Sequence, residues 1–567
     1  MSYSTPPIKG EIPRGLWMFI LALIPTLFGF FAISLGQDAN WDLKNYHFYN
    51  PYAFLTGRLD FDILPGQVAT FYNPLLYLPF YYAVTSLPPK MVGFLLGTIQ
   101  GINFILLYFI SKDLLPANLI AVQRRRHSFL IALVGMLAAG NISELGTMFA
   151  DNILSLFILS ALLLVVRNHP YLCAPLSSRA IAVALGSGLL CGLAAGLKQP
   201  AAIFCVGMCL AFLFIAGRMK DRLLLAFFFG LGVLAGIALF AGFWMYDLWA
   251  RFGNPLFPYF NHIFKSPMAT LGDYRDARFL PRNITDALIF PFFFAFAPRK
   301  TAEIAFCDLR LPLWYALLLL SVLVLPFLRF LKNTTHHPQI EPSFVRLDRS
   351  KARFIQITML ASYGAWLKIF AIYRYIVPLE FLAPLGIWLL LDRLVARPLL
   401  RNILVLASFL VILITLKPAT WGRVPWNGDY FGVTPPPIAD PAHTMVIMTG
   451  IEPTAYLIPF FPPEVRFVRI QSYFTAPSDT PNGYDRLMER LIREHNGPFA
   501  VIYRAQYEEE STQKALSAYG LTTDQDRCEN FTPRIESGFA QPLRWCPVIR
   551  EGGSESDRTY PATTESP

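Results

Sequence analysis

The sequence predicts an all-α polytopic membrane bundle of about eleven spanning helices, followed by a small external α/β domain. Three observations predict it. The composition is 54% hydrophobic and 15% aromatic with only 15% charged residues, against about 25% charged in an ordinary soluble chain. Apolar stretches near or above bilayer-spanning length recur at 16–35, 91–110, 145–166, 223–245 and 312–330. Basic residues cluster in short loops between such stretches, so the formal net charge of +10 reads as topology and not as a nucleic-acid surface.

The spans are placed so that basic loops fall on the cytoplasmic side. Lys9 and Arg14 put the N-terminus inside. No small-residue cleavage site follows the first span, 16–35, so it is not read as a signal peptide. The first outer loop is 36–90. Its apolar stretch 71–87 is short, carries Pro74 and Pro79, and suits an interfacial or re-entrant helix; counting it as a span would place Arg124, Arg125 and Arg126 outside. The remaining expected spans are 91–111, 128–142, 145–166, 180–197, 200–216, 223–247, 310–330, 354–371, 375–392 and 402–417. A second outer loop covers 248–309, and the basic loop 332–353 falls inside.

Three parts follow: a membrane domain, 1–420; an external α/β domain, 421–550; and a tail, 551–567, expected to be disordered. Thr434-Pro435-Pro436-Pro437 reads as a stiff linker. Strand-like runs at 444–448, 465–470 and 499–503 alternate with helix-like runs at 484–495 and 511–519. Cys173, Cys191, Cys205, Cys209 and Cys307 are scattered without metal-ligand spacing. Cys528 and Cys546 lie together in the polar tail, and a disulfide between them fits an oxidising outer compartment such as a bacterial periplasm. No internal repeat, P-loop, dinucleotide fingerprint or serine nucleophile elbow is present.

The chemistry-bearing segment is 37–51, directly after the first span. Asp38 and Asp42 stand four residues apart and share one face if the helix continues. Asn45, Tyr46, His47 and Tyr49 follow. The plain alternative is a hydrated helix end with belt aromatics.

Further motifs extend the pattern. They are Tyr72-Asn73-Pro74-Leu75-Leu76-Tyr77; Asp151 at the outer end of the fourth span; Gly192-Leu193-Ala194-Ala195-Gly196-Leu197-Lys198; and Tyr373-Arg374-Tyr375-Ile376-Val377-Pro378. In their order and shared outer placement, over roughly residues 10–420, they resemble the GT-C superfamily of membrane glycosyltransferases. Protein O-mannosyltransferases and the lipid A aminoarabinose transferase are of this kind. One departure is plain: the mannosyltransferases carry adjacent Asp-Glu, whereas here Asp38 and Asp42 are separated. The resemblance implies a GT-C-like bundle that moves a sugar, with inversion, from a polyprenyl-phosphate carrier to a lipid, glycan or protein acceptor. The active site and tail domain would then face the periplasm from a bacterial inner membrane.

The chemistry is consistent with that expectation. A polyprenyl phosphate is a good leaving group, so one carboxylate suffices as general base and a cation must stabilise the departing phosphate. Asp42 is the expected base, with Asp38 as alternative base or metal ligand; a divalent cation, Mg or Mn, is permitted at that pair. His47 is expected to meet metal or acceptor, and Tyr46 and Asn45 to bind substrate beside it. Lys198 and Arg374 are expected to meet donor phosphate, with Asp151 and Tyr373 as further substrate-binding residues. Structural alternatives stand beside these: a helix-end carboxylate for Asp151, snorkelling for Lys198, and an Arg374–Glu380 pair. The aromatic, proline-rich run 253–261 can cover a site or pack on the bundle. Arg275, Arg278 and Arg282 lie outside against the charge rule, unless Asp273 and Asp276 neutralise two of them. Rival readings are a flippase of lipid-linked glycans, a polymerase or ligase using a lipid-diphosphate donor, and a non-catalytic scaffold.

Overall fold

A computed structural model describes residues 13–116, 119–333, 349–478, 480–538 and 541–551. Lys9, most of the basic loop 332–353 and the tail beyond 551 lie outside the described residues. The chain forms two compact units. One takes in Met1–Ser34, Phe94–Gly242 and Asp276–Thr420, and the other Leu35–Gly93, Phe243–Arg275 and Trp421–Pro567.

The first unit is helical. Every expected span coincides with a helix. Seven helices among the described residues are long and apolar enough to cross a membrane: Gly15–Ser34, Pro89–Leu114, Asp151–Cys173, Ser178–Leu197, Met219–Phe252, Tyr373–Leu394 and Pro398–Thr415. Helix Val377–Leu394 is the hub, with all its side chains from Val377 to Leu391 buried. The Gly-rich run before Lys198 has a packing reason. A Cβ at Gly192 would lie 2.2 Å from the carbonyl oxygen of Val233, so the small residue lets two helices approach closely.

Two expected boundaries move. The third span begins at Ala121, taking Arg124, Arg125 and Arg126 into its first turns, and stops at Met136. Basic side chains are good helix formers that can extend away from an apolar surface. The fourth span begins at Asp151 rather than 145. Between them lies a short helix, Ala139–Glu144, and a turn with Gly146 and Ala150 at positive φ. Hydropathy is continuous across this stretch, so composition does not reveal the interruption.

The second unit is built on a sheet in which Arg466–Arg469, Met445–Met448 and Phe499–Arg504 run parallel. Leu543–Arg550 adds antiparallel to the last of these, and Leu521–Thr523 and Glu529–Phe531 pair with it in turn. Helices Gly483–Glu494 and Glu509–Ser517 complete the α/β pattern. The first outer loop joins this sheet. Ile63 N–H donates to Phe467 O at 2.8 Å, and Arg469 N–H donates to Ile63 O at 2.9 Å, which pairs the edge strand. Ile63, Phe71, Trp244 and Phe257 enter one core with Ile447, Val468, Val501 and Leu516. The tail from 421 thus shares its core with two earlier segments.

Cys528 and Cys546 form a disulfide closing an 18-residue separation, a loop length at which a cross-link stabilises by about 3 kcal/mol. Cys528→Ser is therefore expected to lower the opening free energy of strands Phe499–Arg504 and Leu543–Arg550 by about that amount, read by native-state hydrogen exchange. An unchanged opening free energy would contradict it.

Candidate functional site

Chemistry-bearing side chains gather in one cluster in each unit. In the first unit the cluster forms at the helix interruption between Leu137 and Asp151. Lys198, left in extended backbone where helix Ser178–Leu197 ends, reaches across to this turn. Its ammonium donates to Asp151 Oδ2 at 2.7 Å and to Phe149 O at 2.9 Å. The side chains of Lys198 and Asp151 are only 13% and 5% exposed. The Arg374 guanidinium lies over the Phe149 ring at 4.8 Å from its centroid, and Lys198 Nζ is 5.3 Å from the centroid of Tyr375. Asp151, Lys198 and Arg374, read separately in the sequence, therefore meet at one turn.

Tyr373 belongs to the wall of the cluster. It is buried between Phe294 and Phe306, with ring centroids 4.7 and 4.2 Å away. Its hydroxyl donates to Glu380 Oε1 at 2.5 Å. Glu380 also accepts from the N–H groups of Gly140 and Asn141 at 3.1 and 3.3 Å, so its carboxylate serves the interrupted helix. The same is true of Asp308, which accepts from Ala139 N–H at 3.0 Å. Arg310, wholly buried and bonded to Asp308, donates to the carbonyls of Val134, Gly135 and Leu137. Gln100 closes the other side: it accepts from Gly146 N–H at 2.7 Å and donates to Thr147 O at 3.0 Å.

Sequence reading missed Glu144. It ends the short helix, is 0% exposed, and neither carboxyl oxygen has a hydrogen-bond partner among the described residues. Burial, and then the neighbouring Asp151, hold its carboxyl well above the usual carboxylate range, against the opposing pull of Lys198 and Arg374. The only signal in the sequence is an acid seven residues before Asp151 in an otherwise apolar stretch. A small slot of about 10 Å³ adjoins the cluster, lined by Asp151, Leu154, Ile158, Phe204, Tyr375 and Pro378.

In the second unit the segment 37–51 departs from expectation. Asp38 and Asp42 do not share a helical face. The first helix ends at Ser34, Gly36 takes φ +93°, and Gln37–Asp38 pair antiparallel with Arg423–Val424. Only glycine adopts that backbone without strain, so the helix cannot run through to Asp42. Asp38 is fully buried, accepts from Asn40 N–H and Nδ2 at 3.1 and 2.6 Å, and faces Arg423, whose pKa is lowered by burial. Asp42, half-buried, precedes a π-helical turn, Leu43–His47. Such turns are rare and frequent at functional sites.

Asn45, Tyr46 and His47 are all buried in that turn. Asn45 donates to Gly66 O at 3.0 Å. His47 stacks on Tyr77 and meets Tyr46 edge-on, both at 4.4 Å. Lys44 was passed over in the sequence, yet it anchors the turn. It is fully buried and lies 3.1 Å from Glu536, which also takes Arg504 at 3.1 Å and the Tyr456 hydroxyl at 3.0 Å. Burial lowers the Lys44 pKa, with Glu536 opposing. Of the three arginines at 275, 278 and 282, Arg275 pairs with Asp273 at 2.5 Å and, in the first unit, Arg278 pairs with Asp276 at 2.7 Å.

The support of the interruption yields a prediction. Glu380→Ala leaves the N–H groups of Gly140 and Asn141 and the Tyr373 hydroxyl without their acceptor, at about 1–3 kcal/mol for each buried group. It is expected to lower the thermal unfolding midpoint of purified protein far more than Glu380→Gln, which keeps one acceptor oxygen. Equal midpoints for the two variants would contradict the assignment.

No family model and no curated protein matches the chain. Among solved structures, the crystal structure of ArnT from Cupriavidus metallidurans bound to undecaprenyl phosphate is similar with a TM-score of 0.43 and 11% identity, covering 94% of this chain and 98% of that one.

Proposed function

We propose that the chain is a GT-C-like membrane glycosyltransferase, moving a sugar from a polyprenyl-phosphate carrier to a lipid, glycan or protein acceptor at the outer face of a bacterial inner membrane. The observation that carries the reading is the Lys198–Asp151 pair with Arg374 over Phe149, beside a small slot with a mostly apolar lining. Charged groups are costly among spanning helices and commonly mark substrate sites. Two cations beside an apolar slot suit an anionic headgroup carrying a hydrocarbon chain.

In this reading Asp42 is the general base. It takes the acceptor hydroxyl proton as that oxygen attacks the anomeric carbon. The bond from that carbon to the phosphate oxygen breaks and its electron pair leaves with the phosphate, so a single displacement inverts configuration. Asn45, Tyr46 and His47, in the turn that follows Asp42, are assigned to sugar or acceptor. Asp38 keeps the place of alternative base, although its contacts with Asn40 and Arg423 suit a positioning role.

A divalent cation at Asp38 and Asp42 is a poor match for these residues. The Asp38 carboxylate is already engaged by Asn40. Among the described residues no group of three or more Asp, Glu, His or Cys side chains is arranged to hold a metal. The flippase reading uses the same cationic cluster but requires no essential carboxylate.

The test is transfer of labelled sugar from polyprenyl-phosphate donors by purified protein in lipid. Asp42→Asn is expected to lower turnover by about 100-fold or more, and Asp38→Asn by less. Equal turnover in wild type and Asp42→Asn would remove the base assignment. No turnover across a broad donor panel, with lipid-linked glycan translocated instead, would replace the reading by the flippase.

A further inference from the structure

Glu144 is a fully buried acid of the first unit to which the proposed mechanism gives no task. The other carboxylates around the interruption are engaged: Glu380 and Asp308 accept from the short helix's N–H groups, and Asp151 holds Lys198. Glu144 is as buried as they are, at 0% exposure, yet both of its oxygens lack a partner among the described residues. A buried polar group without a hydrogen bond costs about 1–3 kcal/mol. Such a group in a native fold calls for an explanation, and an absent ligand is one.

The surroundings say what kind of ligand. Asp151 faces Glu144 from the start of one helix, Lys198 from the end of a second, and Arg374 and Glu380 from the segment that begins the buried hub helix. Asp308 and Arg310 sit at the other end of the short helix, paired with each other. With Glu144 uncharged, two cations face two carboxylates; ionising it would leave three acids against two bases. Burial pushes its carboxyl in the same direction. An uncharged carboxyl has one O–H to donate. Its natural acceptor is an oxyanion drawn in by Lys198 and Arg374, much as buried neutral acids serve oxyanions in other enzymes. The slot beside the cluster, about 10 Å³ and lined by Asp151, Leu154, Ile158, Phe204, Tyr375 and Pro378, is too small to enclose a chain, but its mostly apolar lining gives a hydrocarbon, and not a free inorganic ion, a surface to pack on.

We propose that Glu144 donates a hydrogen bond from its carboxyl O–H to the phosphate of a prenyl phosphate held by Lys198 and Arg374. This rests on the reading of that cluster as a phosphate site, and it adds a proton-bearing residue to it. Binding then weakens as pH rises, because the ionised carboxylate loses its donor and repels the phosphate.

The experiment is calorimetric binding of farnesyl phosphate to full-length protein in lipid nanodiscs from pH 5.5 to 8.5, with farnesol and inorganic phosphate as separate arms. Wild type, Glu144→Gln, Glu144→Ala and Lys198→Ala are compared after their unfolding midpoints show that each is folded. At low pH, Glu144→Ala is expected to weaken farnesyl phosphate by about 10- to 100-fold. Glu144→Gln, which keeps an N–H donor, is expected to stay within about 3-fold of wild type. The phosphate itself titrates near pH 6, so the decisive quantity is the difference in pH profile. Wild type is expected to lose affinity with rising pH more steeply than Glu144→Gln. Farnesol is expected to bind all Glu144 variants alike, and inorganic phosphate to bind wild type far more weakly than farnesyl phosphate. Identical profiles and affinities in wild type, Glu144→Gln and Glu144→Ala, with binding still lost in Lys198→Ala, would overturn the role of Glu144 and leave the phosphate site standing. Failure of wild type to bind farnesyl phosphate would overturn both. Equal affinity for inorganic phosphate would overturn the prenyl assignment.

Discussion

The first unit depends on satisfying the backbone where its chain stops being helical. From Leu137 to Ala150 the chain lies between helices Ala121–Met136 and Asp151–Cys173 without forming a long helix of its own. Backbone N–H and C=O groups in such a place need internal partners, because hydrocarbon offers none. Each side of the break is served by a different element. Arg310 holds the carbonyls that end the preceding helix, Asp308 and Glu380 hold the N–H groups that open the short one, and Gln100 takes both kinds of group in the turn. Lys198 completes the set at Phe149 O. The candidate site is therefore made by the same groups that make the interruption tolerable. Ala150, a non-glycine residue at φ 71°, starts the helix whose first residue is Asp151, and backbone of that kind persists only where its surroundings fix it.

The second unit solves a related problem with buried charge. Lys44, Glu536 and Arg504 are 0–4% exposed in their side chains, and removing any partner of such a set strands a charge. Arg469 is equally enclosed; it donates to Pro65 O, Gly450 O and the Thr454 hydroxyl, and burial lowers its pKa to about 10. The segment 37–51 is thus fixed from the tail domain at both ends, by the strand pair at Gln37–Asp38 and by Glu536 on Lys44. That explains how a π-helical turn, poor in intrinsic stability, is held beside Asp42.

Much of this was legible in the sequence. The spans followed from hydropathy and charge, and the tail runs at 444–448, 465–470 and 499–503 became strands Met445–Met448, Arg466–Arg469 and Phe499–Arg504. Leu543–Arg550 was not legible, because Pro547 inside it argues against a ladder position. Pattern reading also fails at the break after Met136, since apolar loop and apolar helix have the same composition. Asp151 and Lys198 stood out singly as charges near apolar spans, but their contact across 47 positions is a product of packing that no local spacing encodes. Lys44 and Glu536, 492 positions apart, show the same limit. The helical pairing of Asp38 with Asp42 failed for a local reason, the left-handed backbone at Gly36.

On the proposed function, an anionic prenyl lipid lies against the apolar side chains beside Asp151 with its phosphate at Lys198 and Arg374. Photo-crosslinking with a prenyl phosphate bearing a diazirine on its chain, followed by peptide mapping, tests this directly. Adducts are expected on peptides containing Leu154, Ile158, Phe204 or Pro378, suppressed by excess polyprenyl phosphate and by Lys198→Ala. Adducts confined to other helices, or unaffected by either competitor or substitution, would contradict it.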